Sequence, residues 1–235
     1  MNKLKSNLLL LTVVIATNII PTAIYARENT STTAKPQKQS TSILKSILSL
    51  FKSPENRLIT RGDEVCPISP GNLGEQLIWS DRPLFIWQGD IPQSEITLYS
   101  PTTNYNYERD EQIVWNQTIA PNTTTIAYAG EQLQPGFSYD WQFVSGDKTY
   151  RPTFVLMEQA EREAIAAELT ALETQLQNNS ATAEAIAIAK ADYFIERQLW
   201  SDALQQIYSV ANPSAELTDY IKDIEQYLCD SGDRN

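Results

Sequence analysis

Apolar residues run almost unbroken through 77–89, Leu-Ile-Trp-Ser-Asp-Arg-Pro-Leu-Phe-Ile-Trp-Gln-Gly, a stretch that holds two of the chain's five tryptophans. Pro83 fixes the backbone at the start of a strand that runs on through Trp87. A strand that is apolar at successive rather than alternate positions needs a covering layer on each face. The rest of the chain is expected to supply those layers, as further strands that pair with it and helices that cap the result.

From Cys66 to Met157 the pattern is one of short strands. Candidates fall at 76–79, 83–88, 94–100, 112–117, 124–129, 137–144 and 149–156, with turn residues between them, among them Gly89-Asp90, Pro121-Asn122, Pro135-Gly136 and Gly146-Asp147. Alternation is cleanest near the end, where Phe137, Tyr139, Trp141 and Phe143 are expected to share one face. This spacing predicts an antiparallel, immunoglobulin-like β-sandwich of about seven strands over 61–157, with a small barrel as the alternative.

After Met157 the period becomes 3.6. Ile165, Leu169, Leu172 and Leu176 form a seam on a first helix, which Gln177-Asn-Asn-Ser180 ends. An alanine-rich helix over 181–197 follows, then one over 201–210 with Trp200 at its start. Pro213-Ser214 opens a last helix with Leu217, Tyr220, Ile221, Ile224 and Leu228 facing inward. The expected class is therefore α+β: a sandwich followed by a four-helix region over 158–229, with a tail at 230–235. The two central helices are joined by so few residues that they must form an antiparallel hairpin. Trp200 is expected to wedge them apart at its closed end. Emptying such a site, if fully buried, costs roughly 3–5 kcal/mol.

The N-terminal pattern differs. Lys3 and Lys5 precede an apolar run from Leu8 to Ile20, Pro21 ends it, and Ala26 offers a cleavage position before Arg27. This order is that of an export signal over 1–26. As an uncleaved anchor the run would fall short of the roughly 20 residues that span a bilayer. Residues 27–60 read as a flexible arm interrupted by one amphipathic segment, 42–52, in which Ile43, Leu44, Ile47, Leu48 and Phe51 recur at helical spacing between lysines. The arm carries six basic and two acidic residues, a balance of +4, whereas from Arg61 onward ten basic residues meet 27 acidic ones, a balance of −17. Such a segment suits an anionic membrane surface, a partner's groove, or a docking site on its own domain. Ile43, Ile47 and Phe51, with Trp200, are the candidate interaction residues.

Charge and composition then remove function classes. A net charge of −11 leaves nothing on the main body to neutralise a run of phosphates, so nucleic acid is not expected as a partner. The absence of histidine excludes Ser-His-Asp and Cys-His catalysis and histidine-ligated zinc. No Asp-x-Asp-x-Asp-Gly loop is present for calcium, and no cofactor is expected. Carboxylate chemistry on a glycan would have to draw on residues such as Asp81, Asp90, Asp140 and Asp147, which turn positions also select for local hydrogen bonding. Export makes the two cysteines partners: Cys66 and Cys229 flank the folded body and are expected to pair in an oxidising compartment.

Three stretches resemble a secreted family found largely in cyanobacteria, domain of unknown function 928. They are Arg82-Pro-Leu-Phe-Ile-Trp87, Leu133-Gln-Pro-Gly-Phe-Ser-Tyr-Asp-Trp-Gln-Phe143, and the segment from Tyr193 through Leu199-Trp-Ser-Asp-Ala-Leu204, in the family's order. The chain departs from the family pattern at Val144-Ser-Gly, where a cysteine is expected, and at Gln198, where the pattern has glycine. The resemblance implies a secreted compartment and this architecture but no activity. Gln198 to Leu204 also resembles the turn of a tetratricopeptide hairpin, although one hairpin is too few for a solenoid. The functional expectation is an exported, periplasmic or extracellular, non-catalytic envelope protein that binds a protein or an envelope polymer, with peripheral membrane contact through 42–52 as an option. A purely structural envelope component and a carboxylate-dependent glycan-acting enzyme are the alternatives.

Overall fold

The computed structural model describes residues 65–73, 76–89, 95–102 and 110–229. The export stretch, the arm with Ile43, Ile47 and Phe51, and the 230–235 tail lie outside the described residues. All described residues fall within one compact unit.

The central strand, β3 (Leu84–Gln88), has the two-sided burial that its unbroken apolar run predicts. Phe85, Ile86 and Trp87 are each 0% exposed. Phe85 and Trp87 enter one core, with Ile96, Leu98, Trp141 and Phe154. Ile86 enters a second, with Ile68, Phe194, Leu204 and Ile207. Alternate residues of one strand thus serve two cores, as the period of two requires. In the first core, Phe85 lies 5.1 Å from the Trp141 ring, which lies 5.4 Å from Phe143.

Two sheets enclose the first core. In the smaller, β3 pairs antiparallel with β1 (Cys66–Ser69) on one side and β6 (Thr125–Ala127) on the other. The larger runs β2 (Leu77–Ile78), β9 (Thr153–Leu156), β7 (Ser138–Ser145), β4 (Glu95–Thr102), β5 (Asp110–Thr118), with β8 (Lys148–Tyr150) added to β7. The fold is α+β, a two-sheet sandwich followed by four helices, and no closed barrel forms among the described residues. Four details differ from the sequence pattern. Cys66 opens a strand of its own rather than preceding the first one. Residues 149–156 divide into β8 and β9 at Arg151-Pro152, where Pro152 has no N–H for a ladder and its carbonyl instead accepts from Trp141 N at 3.0 Å. Phe137 precedes β7 and is 43% exposed, so only Tyr139, Trp141 and Phe143 share the buried face. The pairing of β2 with β9 is parallel, so the large sheet is mixed. Gly71, at φ +89°, passes so close to the Thr153 carbonyl that a side chain there would collide with it. The preceding Pro70 carbonyl accepts from Trp141 Nε1 at 2.8 Å.

The second core lies between β1–β3 and the helices α1 (Gln159–Asn178), α2 (Ala183–Ile195), α3 (Trp200–Tyr208) and α4 (Ala215–Cys229). Thr182 caps α2 by accepting from Ala185 N at 3.1 Å, and Ser214 caps α4 by accepting from Leu217 N at 3.1 Å. Of the predicted seam on α1, only Leu169 is fully buried, while Ile165 packs partly against the helical core. The α2–α3 hairpin turns through Gln198 at φ +61°, a conformation that favours glycine and is strained for any other side chain. Cys66 and Cys229 form a disulfide, with Cα atoms 5.9 Å apart, that ties β1 to the end of α4. Closing a separation of 163 residues restricts the unfolded chain by roughly 5 kcal/mol in the chain-entropy model.

Trp200 opens α3 half-buried, packed against the helical core rather than sealed within it. Its truncation therefore empties a partly solvated site. Trp200→Ala is expected to cost roughly 2 kcal/mol, less than a full core vacancy. Urea unfolding of wild type and variant measures this, and a loss below about 0.5 kcal/mol would remove Trp200 from the core.

Candidate binding cleft

The helical layer is positioned by one buried carboxylate. The connection between β2 and β3, Trp79 to Pro83, leaves ladder geometry beneath the helices, so its backbone N–H groups need partners from elsewhere. Asp202, in the first turn of α3, supplies them: its Oδ2 accepts from Trp79 N at 2.7 Å and its Oδ1 from Ser80 N at 2.9 Å. One turn on, Gln205 Oε1 accepts from Leu84 N at 3.2 Å, and its Nε2 donates to Arg82 O at 3.1 Å. Arg162 of α1 closes the cluster. Its Nε donates to Trp79 O at 2.8 Å, its guanidinium pairs with Asp81 at 2.9 Å, and its own carbonyl accepts from Trp79 Nε1 at 3.0 Å. Burial pushes the Asp202 carboxyl up to about 6, against the two N–H donors and the Arg162 charge, which pull it down. A carboxyl poised there suggests acid–base work. With 2% exposure and both oxygens taken by backbone, however, it has no access to a substrate and acts as a structural clasp.

A cleft of about 820 Å³ opens in the helical layer, among the C-terminal part of α1, the first turns of α2 and the α3–α4 connection. Ile186 and Val210 give it apolar wall, Ala183 and Ala211 lie exposed within it, and Glu173 and Glu184 bring carboxylates. Both carboxylates are engaged. Glu173 pairs with Lys190 at 2.5 Å and accepts from Gln177 Nε2 at 3.0 Å, joining α1 to α2. Glu184 accepts from Ser214 N and from Ser214 Oγ, each at 2.7 Å, joining α2 to the start of α4. The ionisable groups hold the walls in place. What they leave for recognition is a shaped surface of small apolar side chains edged by amides.

The carboxylates singled out from the sequence are dispersed. Asp81 is held by Arg162 and by Gln132 Nε2. Asp140 pairs with Arg151 at 3.2 Å and accepts from Thr153 Oγ1 at 2.6 Å on the outer face of the large sheet. Asp147 sits in the β7–β8 turn, and Asp90 lies outside the described residues. Among the described residues, no group of three metal-ligating side chains assembles and no helix is long and apolar enough to cross a membrane. Neither the clasp nor the cleft was picked out from the sequence. Asp202 carried a signal, a charge set between Leu199, Ala203 and Leu204 at buried helical spacing. The cleft residues come from three separate elements and carried none. Comparison of the chain with protein-family models, with curated proteins and with solved structures finds no match.

The raised Asp202 carboxyl makes a directional prediction. Its folded value, about 6, lies above the ordinary value of 3.8, so the folded state binds the proton more tightly. The stability this contributes is full below the unfolded value and is lost as pH rises through about 6. Between pH 7 and pH 5 the wild type should gain about 1 kcal/mol from this group. Asp202→Asn lacks that titration and turns an amide N–H toward a backbone donor, so it should be less stable at pH 7 by roughly 1–3 kcal/mol. Denaturant unfolding of both proteins at the two pH values should show the gap widening at pH 5. A gap independent of pH would contradict the assignment.

Proposed function

We propose that this is an exported, non-catalytic envelope protein whose helical cleft binds an extended segment of a partner protein or of an envelope polymer. One observation carries the reading: every carboxylate in the cleft is committed to bracing its walls, which leaves recognition by shape and amide contacts rather than proton transfer. The order of the N-terminal signal and the disulfide that closes the folded body support an oxidising, extracytoplasmic setting. The resemblance of the Arg82–Trp87 and Leu199–Leu204 motifs to a secreted family supports the same compartment. The alternative of a glycan-acting enzyme loses support because Asp81 and Asp140 are each held by an arginine.

The test is comparative capture from envelope extract by immobilised mature protein, with protein and polymer fractions assayed separately. Ala211→Trp fills the cleft from an exposed position, and Ile113→Ala, on the distant edge strand β5, serves as control. The expected result is at least a tenfold loss of retained partner with Ala211→Trp and no loss with Ile113→Ala. Equal retention by both variants would overturn the cleft as the contact site, and release of soluble sugar by the protein would restore the enzyme reading. N-terminal sequencing of the fractionated protein should begin at Arg27, and an intact Met1 would contradict export.

A further inference from the structure

We infer that the last part of α1, residues 170–178, is a hinged wall of the cleft: it opens ahead of the rest of the fold, and its opening sets how fast a partner enters. This rests on the cleft being a contact surface and adds the regulation of access to it. Two side chains of the stretch line the cleft, Glu173 and Gln177. The facing surface belongs to α2 and to the end of α3 with its connection to α4.

Anchoring along α1 is uneven. Its first half is held by Arg162, which donates to the Trp79 carbonyl and pairs with Asp81, and by Leu169, the one residue of the helix that is fully buried. Beyond Leu169, Leu172 and Leu176 are only half-buried, and the other residues, Glu173 apart, are exposed. Among the described residues, the ionic tie from this stretch to α2 is Glu173 with Lys190 at 2.5 Å. A partly solvated ion pair shifts an equilibrium by a factor of only about two to five. A segment with so few buried apolar contacts opens more easily than the core.

The same stretch is weakened as a helix. Thr170 Oγ1 donates to the Ala166 carbonyl at 2.7 Å, and Thr174 Oγ1 to the Thr170 carbonyl at 2.8 Å. Such bonds to the carbonyl four residues back slightly destabilise a helix and bend it. No basic residue stands in the last turn to meet the negative end of the helix dipole. The chain then leaves α1 through Ser180 at φ +58°, a left-handed position that favours glycine, with Ala181 N donating to Leu176 O at 3.0 Å. Weak burial, back-bonded threonines and a strained exit coincide on one stretch, and the last firm anchor before it is Leu169. A hinge there carries Glu173 away from Lys190 and Gln177 away from the facing connection, which widens the cleft.

Native-state hydrogen exchange of the mature full-length protein tests the hinge without a partner. The amides of 173–177 should share one protection factor, at least tenfold below that of 165–168 in the same helix. Equal protection of the two groups would overturn the inference, and so would a gradual decline toward Asn178, which is the fraying of any helix end. Ser180→Gly lies outside the cleft lining and relieves the left-handed position, so it should slow exchange at 173–177 roughly threefold. Lys190→Met removes the ion pair and should speed it by about the same factor. Exchange unmoved by both variants would contradict the hinge. For access, the initial rate of capture from envelope extract should fall roughly threefold with Ser180→Gly, since only the open form admits a partner. An unchanged rate alongside slowed exchange would overturn the role in access. A wild type that captures nothing fails the contact-surface reading itself, whereas exchange without a step after Leu169 fails the hinge alone.

Discussion

The arrangement of this protein depends on two backbone N–H groups that no strand can satisfy. Trp79 and Ser80 lie between β2 and β3, under the helices, where Trp79 is half-buried and Ser80 fully so. An unmet donor in such a place costs roughly 1–3 kcal/mol. Asp202 meets both, at the cost of keeping a carboxylate out of water, and that cost is visible in its raised proton affinity. The connection is fixed by three side chains from two helices, Asp202 and Gln205 of α3 and Arg162 of α1. Sandwich and helices therefore meet through a hydrogen-bonded junction as well as an apolar one.

Strand β3 makes the apolar half of that junction. Because Ile86 belongs to one core and Phe85 and Trp87 to the other, the strand is shared between the sandwich and the helical layer. The disulfide acts on the same boundary, tying β1, the neighbour of β3, to the last turn of α4. The cleft is built on helices thus immobilised. Its own bracing, Glu173 to Lys190 and Glu184 to Ser214, sets only the local spacing of α1, α2 and α4.

What the sequence disclosed followed from period and continuity. The unbroken run at 84–87 marked a strand covered on both faces, and the switch from period 2 to 3.6 after Met157 marked the change from sheet to helix. The caps at Thr182 and Ser214 lie where helix-start chemistry places them. Strand β1 escaped notice because Cys66-Pro-Ile-Ser69 is too short to alternate and carries a proline. The parallel β2–β9 pair escaped because two residues have no period at all. Phe137 kept the right parity but sits one residue before its strand, where the turn at Pro135-Gly136 still sets its direction. The cleft could not be read, since it is a product of how three helices are spaced. Asp202 was legible in principle, as a charge on a buried helical face.

The central claim is that sandwich and helical layer form one cooperative unit through β3 and the Asp202 clasp. Native-state hydrogen exchange under increasing denaturant tests it, followed at two amides with secured partners: Trp87 N, bonded to Thr124 O, and Ala203 N, bonded to Leu199 O. One unit requires both amides to exchange with the same opening free energy and the same denaturant dependence, equal to those of global unfolding. If the Ala203 amide opened at lower free energy and with a shallower denaturant dependence than that of Trp87, the helical layer would be unfolding alone, and the account would be wrong.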